Sequence, residues 1–208
     1  MAITYPLAIP TVGVQSLTWT NANVSIVSRS PFTFQGQVQN YTGQIRFASV
    51  SISDVLRDSG EEWVGFLDAL QGSRGTFLMG DPSGKTPRGT ARTNVLSRTA
   101  QPAGQSTLLI KGGPTDNNRS RFFEAGDWIQ IGSGLNSRLY KVTRLCNLYA
   151  SGEGNVEIWP ALRKPTAVDD PVIVTNTVGL FRLSNGTYSY LQDNTCRYSV
   201  DFDCEEVI

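Results

Sequence analysis

Residues Arg197–Glu205 read Arg-Tyr-Ser-Val-Asp-Phe-Asp-Cys-Glu, and this stretch decides the fold class. Tyr198, Val200, Phe202 and Cys204 alternate with Arg197, Ser199, Asp201, Asp203 and Glu205, so every second side chain is apolar. That period is the mark of a strand with one buried and one wet face. Ala48, Val50 and Ile52 alternate with Ser49, Ser51 and Ser53 in the same way. Gln44–Ser53 is therefore the natural partner for the C-terminal strand. Shorter β-branched or aromatic runs lie at Gln15–Trp19, Val24–Val27, Thr107–Ile110, Trp128–Ile131, Leu139–Val142, Val156–Trp159, Val172–Val174 and Leu180–Leu183. Gly, Pro, Asn and Asp separate most of them, as in a sandwich or barrel.

One helix interrupts the strands. Trp63, Phe66, Leu67 and Leu70 fall at helical spacing and form a single apolar stripe. Ser59 with Glu62 fits a capping box, and Gly72 is placed to end the helix, which predicts Gly60–Gln71. The basic, Pro- and Gly-marked stretch Gly80–Arg98 reads as a linker, and Leu162–Pro171 as a second loop. Between them lie about five strand candidates, the size of a small OB-like barrel. The expected fold is all-β with one helix: a β-sandwich outer domain from residues 1–86 and 176–208, with a small β-barrel inserted at 87–175.

Composition narrows the chemistry. Charged residues make up 17% of the 208-residue chain, against a usual share of roughly 25%. Lys plus Arg equals Asp plus Glu, so no global field draws the chain to nucleic acid or an anionic membrane. No histidine is present, which excludes His-based nucleophile triads and His-containing zinc sites. Cys146, Cys196 and Cys204 form no CxxC and are expected as buried, reduced thiols. Pro6 and Pro10 break the N-terminal apolar stretch, and no run reaches the length of a membrane helix, so a soluble chain without a leader is expected.

The motifs that tempt toward catalysis are weak. Gly80-Asp-Pro-Ser-Gly84-Lys85-Thr86 is one residue short of a Walker A loop, and Pro87 follows where a helix should open. Asp201 and Asp203 share one strand face and could in principle act as a carboxylate pair, but such a pair on a wet strand is ordinarily solvated or faces a neighbour's Arg. Asp169-Asp170 and Glu205-Glu206 carry no stronger signature. Trp19, Trp63, Trp128 and Trp159 could supply a sugar-stacking platform, although Trp63 belongs to the helix stripe and to the core. Asn23, Asn40, Asn118 and Asn185 begin glycosylation-like triplets, which carry no weight without a secretory leader. No cofactor, no metal and no enzyme activity are expected.

The N-terminal segment is unusual in another way. From Met1 to Ile45 the only charged side chain is Arg29. Strand pairs in water normally carry Lys or Glu against edge pairing. The segment therefore reads either as a Ser/Thr-rich hairpin wet on one face or as a surface buried against another copy, since interface cores are depleted in charge. The second reading makes Val24, Ile26 and Arg29 candidate interface residues, with Asp201 and Asp203 as a possible acidic counterpart.

Trp63-Val-Gly-Phe-Leu-Asp-Ala-Leu-Gln-Gly-Ser-Arg-Gly-Thr-Phe-Leu-Met-Gly-Asp-Pro82 resembles a helix-then-GTF-L-GDP block of phage tail proteins. Ala125–Gly132, Leu139–Val142, Ile158–Arg163 and Gly179–Leu183 resemble the same proteins in the same order. The family is that of the distal tail proteins of siphophages. The resemblance implies a structural protein of the virion, assembled in the bacterial cytoplasm. It implies a homohexameric ring in the tail tip, between the tail tube protein and the hub, with the tape measure protein as a further neighbour. A separate C-terminal carbohydrate-type domain, found in many members, has no counterpart here. A carbohydrate- or receptor-binding tail protein is the alternative.

Overall fold

The computed structural model describes residues 3–10, 14–116 and 119–208. Asn118 of the third triplet lies outside them, as do Met1, Ala2 and residues 11–13 of the N-terminal segment. The chain is all-β with one helix and builds two units.

The first unit is a six-stranded sheet in the order β1-β4-β11-β12-β3-β2. Its strands are β1 (Leu7–Ala8), β2 (Val14–Arg29), β3 (Gly36–Leu56), β4 (Phe77–Met79), β11 (Gly179–Gln192) and β12 (Arg197–Glu206). The alternating stretch is β12, and it pairs antiparallel with β3 from Phe47 to Leu56. Tyr198, Val200, Phe202 and Cys204 all point into the core, with Ala48, Val50 and Ile52 beside them. Across this face lies α1 (Arg57–Ala69), which buries Trp63, Phe66 and Leu67.

The sheet curls strongly. Trp19 of β2 and Phe181 of β11 have ring centroids 5.8 Å apart, although β3 and β12 lie between their strands. A flat sheet would hold those strands roughly 14 Å apart. The small side chains of Ala48 and Cys204 leave room for the two rings to meet above them. The two layers of the expected sandwich thus come from one sheet folding over on itself, with α1 filling the mouth.

The helix departs from its predicted start. It begins at Arg57, directly after β3, with Leu56 at the N-cap and no side-chain cap. Ser59 therefore sits inside the first turn, and the proposed capping box does not form. The reason is tertiary: Gly60 rests on the Tyr198 ring, where an added Cβ would come within 2.5 Å. That contact holds the first turn to β12 without a cap. At the other end Gln71, ahead of Gly72, takes the left-handed conformation.

The second unit is a closed six-stranded barrel in the order β10-β5-β6-β9-β8-β7. Its strands are β5 (Val95–Ser97), β6 (Thr107–Lys111), β7 (Trp128–Ile131), β8 (Arg138–Val142), β9 (Gly154–Trp159) and β10 (Pro171–Ile173). Leu108, Ile110, Phe122, Phe123, Ile129, Val156 and Val172 fill it. One strand of the barrel escaped the sequence reading, as did β1 and β4 of the sheet. Val95–Ser97 is only three residues long and lies within the stretch read as a linker, whose arginines instead tie coil to barrel. Arg88 pairs with Glu124 at 3.1 Å and Arg98 with Glu153 at 3.1 Å.

The barrel enters and leaves through neighbouring backbones. β4 and β11 pair at Met79 and Gly179 on either side of it, and the Asn176 N–H donates to the Lys85 carbonyl at 2.7 Å. Gly80 permits the crossing, since a Cβ there would lie 2.0 Å from the Thr177 carbonyl oxygen. Because the ends already touch, replacing residues 87–175 with a short Gly/Ser linker should leave the sheet and helix folding cooperatively, with a lowered melting temperature. Circular dichroism through a thermal ramp checks this; loss of a cooperative transition contradicts it.

Candidate functional site: an uncharged arm and the junction at its base

Beyond the sheet, β2 and β3 continue alone as a two-stranded arm. β12 accompanies β3 only as far as Phe47, whereas β2 and β3 remain paired to Arg29 and Gly36. The pairing shifts between Asn23 and Ser25, where Val24 lies against Gly43. At about 3.3 Å per residue, the arm from Gln44 to Gly36 reaches roughly 25 Å past its base. Ser30 organises the tip: its carbonyl accepts from the Phe34 N–H at 2.9 Å, and its N–H donates to the Gln35 carbonyl at 3.0 Å.

Side chains on this arm are apolar where water would favour polar ones. Val24, Ile26, Val27, Val38 and Tyr41 are exposed, and Phe32 and Phe34 at the tip are 92% and 79% exposed. Burying such a side chain is worth roughly 1.5–3 kcal/mol. A monomer thus leaves a large favourable term unused. Val24 and Ile26 are not core residues of the sheet, and residues 23–29 and 36–43 are exposed on both faces of the hairpin. Arg29 is exposed at the end of β2 and is the arm's one charge.

Asp201 and Asp203 are placed elsewhere. They lie on the outer face of β12 opposite Ser51 and Ser49, along strand that the arm leaves behind. The Ser49 hydroxyl donates to Asp203 at 2.5 Å, and both aspartates line a shallow open groove of about 350 Å³ with Ser16, Thr18 and Ser189. The structure does not bring them together with Val24, Ile26 and Arg29. No cluster of metal-binding side chains occurs among the described residues, and no helix there is long and apolar enough to cross a membrane. Gly80–Thr86 is a polar turn in which Asp81 accepts the Ser83 N–H at 2.9 Å. Cys196, expected to be buried, is exposed in the turn between β11 and β12. Cys146 and Cys204 are buried, which pushes their thiols up to about 11 and about 12.

The base of the arm is clamped to the barrel, and here the sequence reading missed the decisive residue. Arg46 stands in phase with Ala48, Val50 and Ile52 on the inward face of β3 and is fully buried. Its guanidinium lies 4.7 Å from the Trp128 ring, 5.0 Å from Trp159 and 5.8 Å from Trp19. It donates to the Leu139 carbonyl at 2.9 Å and to the Asn21 side chain at 3.3 Å. Burial pushes its pKa down to about 10, with Glu206 opposing and Arg163 adding to the shift, so it remains a cation at neutral pH. Trp128, Lys141 and Trp159 form a row across β7, β8 and β9, and Arg46 covers the two rings of that row.

Flanking bonds complete the clamp. The Trp159 indole N–H donates to Asn23 at 2.8 Å, and the Ala161 N–H donates to Gln44 at 2.7 Å. Arg163 of the barrel pairs with Glu206 of β12 at 3.0 Å, with both side chains almost wholly buried. Three of the four tryptophans are therefore joint residues between the units, and Trp63 is core.

No protein-family model matches this chain, and no curated protein matches it.

Two outcomes follow from this geometry. Val24→Lys with Ile26→Lys should leave a folded chain, read by circular dichroism beside light scattering; unfolding of the variant contradicts the exposed arm. Arg46→Ala should cost about 3 kcal/mol or more, from a cavity and an unsatisfied buried carbonyl. It should also split a single thermal transition into separate barrel and sheet transitions in calorimetry. A single transition of unchanged midpoint contradicts the clamp.

Proposed function

We propose that this chain is a structural component of a phage tail tip. In this reading it is a non-enzymatic subunit of a homo-oligomeric ring, six copies in the resemblance, that joins the tail tube to the hub. The observation that carries the proposal is the projecting, nearly chargeless arm with its exposed valines, isoleucine and phenylalanines. An uncharged two-stranded ribbon with free edges is a liability in a monomer. It is an asset in a protein that works only when assembled, because the exposed residues become the buried centre of a contact. The clamp at Arg46 supports the same reading. A ring that transmits force needs its arm held at a fixed angle to the rest of each subunit, and cation, rings and carbonyls hold that angle.

A carbohydrate-binding role draws less support. The tryptophans that suggested a sugar platform are spent on the joint, with Trp128 almost wholly buried and one face of Trp159 turned to Arg46. The carboxylates that suggested hydrolysis lie on a shallow, open face that does not enclose a substrate.

Electron microscopy of phage particles labelled with an antibody to this chain tests the proposal. Label at the joint between tail tube and tip is the expected result. Label confined to the ends of side fibres, or absent from the particle, overturns it.

A further inference from the structure

The sheet has a second unguarded edge. β4 covers β11 only at Gly179–Phe181. The Ser73 hydroxyl then caps the Leu183 carbonyl at 3.0 Å. From Tyr188 to Gln192, β11 pairs with β12 on one side, and no strand among the described residues pairs with it on the other. Leu183–Gln192 contains no charged residue, and Tyr190 and Leu191 are both exposed on the open stretch. This is the same combination that marks the arm: free backbone groups, no Lys or Glu to deter pairing, and apolar side chains in water.

We infer that this edge is the landing site of the arm of a second copy, with β2 of one chain adding a strand to β11 of the next at Tyr188–Gln192. The inference rests on the ring proposed above and names the surface the arm meets. Geometry favours this occupant. The arm prolongs the Gly36 end of β3, while Tyr188–Gln192 lies alongside the opposite end, level with Val50–Val55. Two different surfaces at opposite ends of one sheet make a heterologous contact, the kind that builds rings. Arm-to-arm pairing would close a dimer and leave both β11 edges bare. Head-to-tail pairing covers every such edge once the ring closes. Strand addition also suits the chemistry of the arm, because main-chain hydrogen bonds supply affinity while alternate side chains find pockets. Val24 and Ile26 then pack near Tyr190 and Leu191.

Mixing two half-site variants tests this. One chain carries Val24→Lys with Ile26→Lys and keeps its β11 edge; the other carries Tyr190→Lys with Leu191→Lys and keeps its arm. Each should be a folded monomer by circular dichroism and light scattering, and the mixture should form a one-to-one heterodimer that grows no further. If the arm variant still assembles as the unmodified chain does, the arm is not an interface and the ring reading fails. If the arm variant is monomeric but the β11 variant still assembles, or the mixture stays monomeric, the landing site is wrong while the arm's role stands. A disulfide gives a second measurement should a lysine variant fail to fold. In a Cys196→Ser background, oxidation of Ile26→Cys with Leu191→Cys should give a ladder of linked chains, whereas each single cysteine gives at most a dimer. A double variant that oxidises no further than the single ones overturns the pairing.

Discussion

A guanidinium carried inward on β3 has to be satisfied without water, and the relation between the two units of this protein follows from how that is done. Leaving water costs an ion several kcal/mol, even after relaxation. Arg46 recovers this from ring faces, each worth up to about 2 kcal/mol when desolvated, and from hydrogen bonds to fixed acceptors. Those acceptors and rings come from both units: Trp19 and Asn21 from β2, Trp128, Trp159 and the Leu139 carbonyl from the barrel. Moving the barrel away from the sheet would strand a charge. The barrel is therefore fixed in orientation as well as tethered by its two crossings, and the arm that springs from Arg46 and Gln44 shares that orientation.

The same strand carries the opposite condition at its far ends. Between Phe47 and Leu56, β3 is flanked by β2 and β12, with its inward side chains in the core. Past Arg46 it has one neighbour and no core to bury. The chain meets a free edge there with neither lysine nor a short strand, the devices by which soluble sheets protect themselves. Retaining such a ribbon makes physical sense when a partner's backbone completes it.

Much of this architecture was legible in the chain. The alternation in Arg197–Glu205 and Ala48–Ser53 identified two central strands and their pairing, because the period-two signal is strongest where one face is buried and the other wet. The helix stripe was equally plain, but its start was not, since contact between Gly60 and Tyr198 replaces a cap and leaves no local trace. Val95–Ser97 escaped because three residues are too few for a period. Val24 and Ile26 stood out through the absence of charge around them, whereas Phe32 and Phe34 sit in a turn whose exposure only the fold reveals. Arg46 had a signal that went unused. It stands in phase with Ala48, Val50 and Ile52, and a charge on an apolar face asks for a partner. That partner lay in the inserted unit, remote in sequence, so no local pattern could supply it. Asp201 and Asp203 show the converse: conspicuous in sequence, they lie on the wet outer face of β12, where Asp203 accepts from the Ser49 hydroxyl.

The central claim is that the arm is covered in the working protein, and backbone hydrogen exchange on the assembled protein, followed peptide by peptide, measures that cover directly. The account predicts that amides of residues 24–28 and 188–192 exchange as slowly as those of the central strands β3 and β12, and become fast when the assembly is diluted to monomers. Rapid exchange at residues 24–28 within an intact assembly would contradict it, because an arm left in water cannot be what holds the copies together.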